Sequence, residues 1–376
     1  MSNLLTFFNE ARPLIELQAS FTTFRVTSGL WKNRIIILGS MLTGLLSILL
    51  MIKHIVMIFD GDLNINIMMS ALASIGFCQL PLKSMCGMIK RKIFYKSLTE
   101  IEESFCDQED DEELSQIAEK HLVNGVKIWK LITTWIIGFF RLGVTLVCLH
   151  LRFSETDGFV MDWSFLPDNS RLWLEMAYFL QFIGILVTSQ SGIIVDMTTV
   201  FIGVQLIATL NVLNDYIRLI NEKIKPIPNY LKTILEHHCN VVKRMNLLNE
   251  AVYEMSFVQI VISTLVLLVI FVLLRKDSSD IFAIISCLGV MSQIFALCAF
   301  GEIIKINTEK LSEAFYEVNW YEMSVKDQKV FLIILGMAQR KYGLKAAGMY
   351  VVDIYAFIQI VKLAFTYCAI LYTVSN

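Results

Sequence analysis

The chain has 376 residues, of which 56% are hydrophobic and only 18% are charged, and its mean hydropathy is +0.61. A soluble domain of this length would carry more charge and less apolar surface. The formal net charge of −2 argues against a nucleic-acid partner, which calls for a concentrated basic surface. These values predict a polytopic membrane protein of the all-α class, because helices satisfy their own backbone in lipid.

Motifs of enzymes and metal sites are missing from the sequence. The eight cysteines stand singly, with no CxxC pair, and no HExxH, GxSxG or Walker loop occurs. We therefore expect no enzymatic activity, no metal and no cofactor.

The first part of the chain begins with a mixed segment. Residues 7–24 predict an amphipathic helix lying at the membrane surface. A plain apolar span follows at about 35–59, and a second at about 63–89, which Pro81 should kink. A third span at about 128–153 carries Arg141 in its middle.

The middle of the chain predicts two unusually long helices. The fourth span, about 172–200, continues into a charged helical pattern, and a turn follows at Pro226 and Pro228. The polar helix after this turn leads into the fifth span, about 252–274. Each helix is roughly twice a membrane thickness, so residues of about 201–250 should project into the aqueous phase.

The last part of the chain predicts two more spans around a soluble segment. The sixth span covers about 280–304, and residues 305–345 contain an amphipathic helix near 325–339. The final helix, within 349–376, completes seven spans. Its polar residues are costly in lipid, so it should line a water-filled path or, alternatively, pack as a terminal anchor. These residues are Asp353, Gln359, Lys362, Thr366 and Thr373.

Lysine and arginine set the expected orientation. They concentrate in the N-terminus and in loops 89–130, 205–245 and 302–345, and are few in the segments on the opposite side. Because positive loops stay in the cytoplasm, the N-terminus should be cytoplasmic and the C-terminus extracellular. This orientation is opposite to that of G-protein-coupled receptors.

The C-terminal region resembles the signature of insect odorant receptors over nearly 80 residues. The resemblance rests on the order and spacing of Ala299-Phe300-Gly301-Glu302, Asn319-Trp320-Tyr321-Glu322-Met323, Val325-Lys326-Asp327-Gln328-Lys329, Ala338-Gln339-Arg340, Ala347-Gly348, Lys362 and Thr366-Tyr367.

The resemblance implies a subunit of a heteromeric, tetrameric, ligand-gated cation channel in the plasma membrane of sensory neurons. The short loop around residues 221–229 lacks the long insertion of the shared co-receptor, which implies a ligand-selective (tuning) subunit. The partners would be the co-receptor, a small volatile odorant, permeating cations and membrane lipid. Residues 1–304 would hold six spans and the pocket, 305–345 a cytoplasmic anchor segment, and 346–376 the pore helix.

The resemblance places an odorant pocket in the outer halves of spans two, three, four and six. A volatile ligand needs an apolar, aromatic-lined cavity with few polar groups. The candidates are Met69, Ala73, Phe77, Phe139, Phe140, Gly143, Tyr178, Phe182, Ile285 and Leu288. Tyr178, Thr145 and Ser74 could supply hydrogen bonds, although aromatic residues at helical spacing more often belong to a core.

The pore candidates lie on the final helix. Phe365, Ala369 and Tyr372 share one face, and the Thr366-Tyr367 match sets Tyr372 at a hydrophobic gate and Thr373 at a polar ring. Ordinary packing is the alternative, above all for Phe365 and Ala369.

Two further groups of residues invite a role. Arg141 must find a partner, for which Glu175 or backbone carbonyls are candidates, because a guanidinium stays charged. In the 305–345 segment we expect anchor and inter-subunit packing from Trp320, Tyr321, Asp327, Gln328, Gln339 and Arg340.

Three rival functions stay open at this point. An insect gustatory receptor shares the topology but is often a homotetramer gated by tastants. A G-protein-coupled receptor conflicts with the charge asymmetry. A transporter should show internal repeats or paired broken helices, and the sequence shows neither.

Overall fold

The computed structural model confirms the all-α class. It describes residues 3–25, 31–59, 65–106, 111–153, 159–164, 170–227, 229–276, 281–340, 342–346, 348 and 350–374. The α-helices are α1 (Asn3–Thr23), α2 (Trp31–Ile58), α3 (Ile65–Phe77), α4 (Gln79–Ile89), α5 (Arg91–Cys106), α6 (Glu112–Phe153), α7 (Arg171–Arg218), α8 (Ile220–Lys223), α9 (Tyr230–Lys276), α10 (Ile281–Tyr316), α11 (Val325–Ala338) and α12 (Ile354–Val374).

A short antiparallel hairpin is the one β element that the described residues contain, and the sequence did not predict it. Its strands are β1 (Lys345–Ala346) and β2 (Tyr350–Val351), with Lys345 opposite Val351. Gly348 in the turn has a φ of +65°, a conformation that glycine adopts without steric cost. The side-chain amide of Asn249 holds the start of β1: its Oδ1 accepts a hydrogen bond from Lys345 N and its Nδ2 donates to Gly343 O, each at 3.1 Å.

Six helical spans in the described part of the chain are long and apolar enough to cross a membrane. They lie within Trp31–Ile58, Ile65–Ile89, Glu112–Phe153, Arg171–Arg218, Tyr230–Arg275 and Ile281–Tyr316. The seventh predicted span corresponds to α12, which has 21 residues and is apolar over Ile354–Tyr367. At about 1.5 Å per residue, α12 is about 31 Å long, close to the thickness of a bilayer core.

Four helices are far longer than a membrane requires. The helices α6, α7, α9 and α10 have 42, 48, 47 and 36 residues. The sequence predicted the extensions of α7 and α9 but placed the start of α6 and the end of α10 in loops. These extensions pack on one another: the hydroxyl of Tyr216 donates to Leu114 O at 3.0 Å, and that of Tyr230 donates to Tyr216 O at 2.9 Å.

The N-terminal helix α1 packs one of its faces against other helices of the protein and does not merely lie at the membrane surface. Its face with Ala11, Ile15 and Ala19 is buried, and α1 contacts α4, α5 and α7. The hydroxyl of Thr22 donates to Val195 O at 2.8 Å. An apolar stripe therefore predicted the amphipathic helix correctly, but the surface that buries it comes from distant parts of the chain.

The second span is interrupted at Cys78, between α3 and α4. Pro81 has no N–H group with which to continue the α-helical bonds, so the break lies one turn before it. Helical bonding resumes with Leu82 N, which donates to Cys78 O at 3.3 Å.

The ends of α2, α6 and α9 and the starts of α3 and α10 share a buried cluster at one end of the bundle, which we call the loop end. The cluster includes Met51, Leu151, Leu273, Met68 and Phe282. Residues 159–164 of the α6–α7 connection lie across this end, where Asp162 N donates to Leu50 O at 3.1 Å and Lys53 Nζ is 2.5 Å from Asp162 Oδ2. Burial opposes ionisation of Asp162, but hydrogen bonds from Lys53 and Ser164 lower the pKa of this carboxyl group below its usual value.

Candidate functional site: two cavities and the joint with the final helix

A cavity of about 380 Å³ lies among α3, α4, α6, α7 and α10, with Val266 of α9 also in its wall, in the half of the bundle nearer the loop end. This first cavity is within the size range of small-molecule sites. Val160, in the connection across the loop end, forms part of its wall. The connection is held by Gln181, whose Oε1 accepts hydrogen bonds from Val160 N at 3.1 Å and Met161 N at 3.3 Å.

Seven of the ten predicted pocket residues line the first cavity, and their role in ligand binding stays a prediction. They are Ala73, Phe77, Phe139, Phe140, Gly143, Ile285 and Leu288. Met69, Tyr178 and Phe182 do not line it. Met69 packs in a buried cluster around Leu72, and the Tyr178 ring stacks on Phe159 with centroids 4.3 Å apart.

The polar lining of the first cavity differs from the one that the sequence suggested. Thr145 and Ser74 donate to carbonyls of their own helices, Arg141 O at 2.8 Å and Ala71 O at 2.9 Å. The polar residues that line the cavity are Gln79, Lys83, Thr188, Ser189, Ser286 and Gln293. The hydroxyl group of a serine or threonine can donate a hydrogen bond to a carbonyl of its own helix in this way, and the sequence does not show whether it does so or faces a cavity.

An ion pair that sequence reasoning missed lies beside this cavity. Lys83 Nζ, on α4, is 2.9 Å from Oδ1 and 2.8 Å from Oδ2 of Asp196 on α7. Lys83 is only 2% exposed. Both residues belong to membrane-length spans, where a charge is costly unless it is paired. A charged residue inside each of two apolar spans was the signal available in the sequence. The two residues are 113 positions apart, so the sequence did not indicate that they pair.

A second cavity, of about 490 Å³, lies among α6, α7, α9 and α10 farther from the loop end. Lys83 lines the first cavity and Asp196 lines the second, so their ion pair stands in the wall between them. Both cavities are lined by Phe139, Phe140, Ile193 and Gln293.

A chain of amide and hydroxyl groups also connects the two cavities. Gln79 Nε2, beside the first cavity, donates to Ser263 Oγ at 3.2 Å. Gln259 Nε2, beside the second, is 3.2 Å from both Ser263 Oγ and Gln293 Oε1. These contacts cross-link α4, α9 and α10 inside the bundle.

The start of α12 is fixed to α10 at a close contact, which we call the joint. A Cβ atom on Gly301 would lie 1.9 Å from Val352 O, so only glycine allows α10 to approach so closely. Next to it, Glu302 Oε2 accepts a hydrogen bond from Ile354 N at 3.3 Å. On the other side of α10, Phe300 lines the second cavity and packs on Gly203 of α7.

Charged groups complete the joint and account for Asp353, which the sequence left without a role. Asp353 Oδ1 caps α12 by accepting from Ala356 N at 2.9 Å. Lys305 Nζ lies 3.6 Å from Asp353 Oδ2 and 3.5 Å from Glu302 Oε1. Two carboxylates at the N-terminus of a helix also interact favourably with the positive end of its dipole.

Comparison with known sequences decides which family this arrangement represents. The sequence model described as 7tm Odorant receptor matches residues 64–365, which is most of the chain. The chain belongs to the odorant receptor family.

Individual curated relatives match shorter stretches of this odorant receptor family member. Odorant receptor 33b of Drosophila melanogaster is 28% identical over 80 residues, which cover 21% of this chain and 21% of the relative. Odorant receptor 2a of the same species is 28% identical over 93 residues, 25% of this chain and 23% of the relative. The matched stretches thus span about a quarter or less of these relatives.

Solved structures of an odorant receptor share the whole fold. The olfactory receptor OR5 of Machilis hrabei in complex with eugenol aligns with a TM-score of 0.77 and 12% identity, over 99% of this chain and 100% of that one. A second structure of the same receptor gives a TM-score of 0.74 and 11% identity over the same shares of the two chains. Family membership also agrees with the expectation of a receptor, not an enzyme.

The pore candidates of this odorant receptor are partly described. Phe365 is more than half exposed, and its ring also packs against Phe271 of α9 with centroids 4.8 Å apart. Ala369 is exposed. The side chains of Tyr372 and Thr373 lie outside the described part of the structure.

Several of the anchor candidates form hydrogen bonds within their own segment, and most of them are exposed. Ser324 Oγ caps α11 by accepting from Asp327 N at 3.2 Å, Gln328 Nε2 donates to Met323 O at 3.2 Å, and Gln339 Nε2 donates to the Tyr316 hydroxyl at 2.8 Å. Trp320, Tyr321 and Arg340 are exposed. Exposed aromatic residues such as Trp320 and Tyr321 are typical of protein–protein interfaces.

The suggested pairing of Arg141 with Glu175 is wrong. Glu175, near the start of α7, pairs with Arg152 near the end of α6, at the loop end. Arg141 lies three turns deeper and is exposed on α6.

Among the described side chains, no group of three or more His, Cys, Asp or Glu residues could hold a metal ion.

Proposed function

We propose that this chain is the odorant-binding, tuning subunit of a heteromeric odorant-gated cation channel formed with the co-receptor subunit. The observation that carries the proposal is the first cavity together with the joint, since α10 contributes to both. Ile285 and Leu288 line the cavity, and Gly301 and Glu302 of the same helix hold the start of α12.

The lining of the first cavity supports a small, mainly apolar ligand. Aromatic and aliphatic side chains dominate it, and the charge of Lys83 is neutralised by Asp196. A volatile molecule with one or two polar atoms suits such a site, because few hydrogen-bonding groups have to be matched. Ligand binding that favours one position of α10 would shift the equilibrium between closed and open states of α12.

The surface of α12 supports a shared pore. Leu363, Phe365, Tyr367 and Ile370 are about half exposed, so much of this helix has no cover from its own subunit. Final helices of neighbouring subunits would cover it. In this assembly Phe365, Ala369, Tyr372 and Thr373 face the ion path, where apolar side chains gate by dewetting and a hydroxyl ring favours hydrated cations.

The remaining parts of the proposal concern assembly and location. Residues 1–304 form six spans and their extensions, 305–345 an anchor segment that packs between subunits, and 346–376 the pore helix. The N-terminus is cytoplasmic, the C-terminus is extracellular, and the protein acts in the plasma membrane of sensory neurons. The short turn before α9 supports the tuning role, because it lacks the long insertion of the co-receptor.

A matched pair of glycine variants on α6 tests the ligand site. A Cβ atom on Gly143 or on Gly138 meets nothing within 4 Å, but only Gly143 lines the first cavity. In cells that also express an odorant co-receptor, an odorant panel should first identify a ligand that evokes cation current. Gly143→Leu should then raise the half-maximal ligand concentration about tenfold or more, because its side chain occupies ligand space.

Gly138→Leu is the control and should leave the dose–response curve unchanged. Equal effects of the two variants at equal surface expression would contradict the cavity assignment. Current without the co-receptor would refute the tuning role, and current in neither condition would refute the channel function.

A further inference from the structure

The second cavity is separate from the proposed odorant site and has its own chemistry. It has no lining residue from α3 or α4, which form one wall of the first cavity. Four residues of α9 line it, Val252, Met255, Ser256 and Gln259, whereas only Val266 of α9 lines the first cavity. Its apolar lining includes Trp135, Met197, Met255 and Leu297. A volume of about 490 Å³ can hold a small organic molecule.

Two hydrogen-bonding atoms at the second cavity have no partner among the described residues. Gln259 is only 4% exposed, and its Oε1 atom is buried without a hydrogen bond, although its Nε2 atom has two. Thr199 Oγ1 is also buried and unbonded, whereas Thr188 and Ser191 of the same helix donate to the carbonyl four residues earlier. A buried acceptor without a donor is costly, so an occupant that donates a hydrogen bond to Gln259 Oε1 is favoured.

The charge at the second cavity selects the kind of donor. The carboxylate of Asp196 lines the cavity, but Lys83 contacts both of its oxygens and cancels its charge. A buried ammonium ligand would therefore find no free counter-charge, and its desolvation would be costly. A neutral hydroxyl group avoids this cost and still donates a hydrogen bond.

We propose that the second cavity is a ligand site for a neutral, mainly apolar molecule that carries one hydroxyl group, with the hydroxyl donating to Gln259 Oε1. The apolar part of the ligand packs among Trp135, Leu297 and Phe300. This site is additional to the odorant site, and binding to it does not require that the chain conduct ions.

Photolabelling tests this proposal without any current measurement. The full chain, expressed with a co-receptor in cell membranes, is irradiated with a straight-chain primary alcohol that bears a diazirine, and the labelled peptides are mapped by mass spectrometry. The matched hydrocarbon probe lacks only the hydroxyl group. Segments 252–259 and 292–303 should be labelled by the alcohol about fivefold more than by the hydrocarbon, the value expected for one net hydrogen bond.

Three variants localise the label. Gln259→Met removes the acceptor and should reduce the alcohol-to-hydrocarbon ratio to about one. Ala299→Phe fills the second cavity, which Ala299 lines, and should abolish labelling there. Gly289→Leu fills the first cavity from the same helix and should leave labelling of the second unchanged.

The results that overturn the proposal are equally specific. Equal labelling by both probes means that an apolar void takes up any hydrocarbon, and labelling by neither means that water or lipid fills it. Labelling that survives Ala299→Phe places the probe elsewhere. If this variant fails to fold, the probe ratio in the unaltered chain and in Gln259→Met still decides the question.

Discussion

At the scale of single residues, the ion pair of Lys83 and Asp196 places a buried charge inside the bundle. Lys83 is almost completely buried, and Asp196 is the partner that satisfies its charge. Removing one partner of a buried pair leaves an uncompensated charge, whereas replacing both by apolar side chains is often neutral.

A double-mutant cycle tests this account of the pair. Asp196→Asn and Lys83→Met should each lower the free energy of unfolding, with a cost of about 3 kcal/mol expected for Asp196→Asn, which strands the buried lysine. The combined variant Lys83→Met/Asp196→Asn should recover most of the loss, because no uncompensated charge is left. Thermal denaturation of the detergent-solubilised protein is the measurement, and additive losses in the combined variant would show that the residues are not coupled.

At the scale of elements, the joint explains part of the C-terminal signature in physical terms. Phe300 packs on Gly203, Gly301 admits the Val352 carbonyl group, and Glu302 bonds the first N–H of α12. Three successive residues of α10 thus connect α7, the chain after β2 and the final helix.

Alanine substitutions on α10 test the close approach. Gly301→Ala should displace Val352, because the added Cβ atom would lie 1.9 Å from a backbone oxygen, and we expect a loss of stability of about 1–3 kcal/mol. Gly289→Ala on the same helix meets nothing within 4 Å and is the control. Equal melting temperatures of the two variants in detergent would contradict a tight joint.

At the scale of the whole molecule, the long helices define the architecture. The helices α6, α7, α9 and α10 continue beyond the membrane-spanning bundle, and Tyr216 and Tyr230 of their extensions belong to the same buried core as Val195 and Ile294 of the spans. The bundle and the extensions therefore share continuous helices and no flexible linker among the described residues.

Antibody access tests the orientation of this architecture. An epitope fused before Met1 should be detected only after the cells are permeabilised, and an epitope fused after Asn376 should be detected on intact cells, as the distribution of basic residues predicts. A co-expressed cytosolic marker controls for leaky membranes. Staining of the N-terminal epitope on intact cells would indicate the opposite orientation.

The sequence predicted the spans well because hydropathy depends on local composition, and it predicted α7 and α9 beyond the membrane from unbroken helical periodicity. It missed the first turns of α6, since charged residues there suggested a solvated loop, whereas Leu114, Leu122 and Val126 in this part of the helix are buried. The Lys83–Asp196 pair and the joint depend on packing between distant helices, which composition and spacing do not encode.

The position of the joint has a mechanical consequence for α12. The helix is held at its first residues and is about 31 Å long, so it resembles a lever with one fixed end. A tilt of about 5° around that end displaces the far end by about 3 Å, roughly the diameter of a water molecule. A small rotation at Gly301 would thus move the far end of α12 by about the thickness of one layer of water molecules.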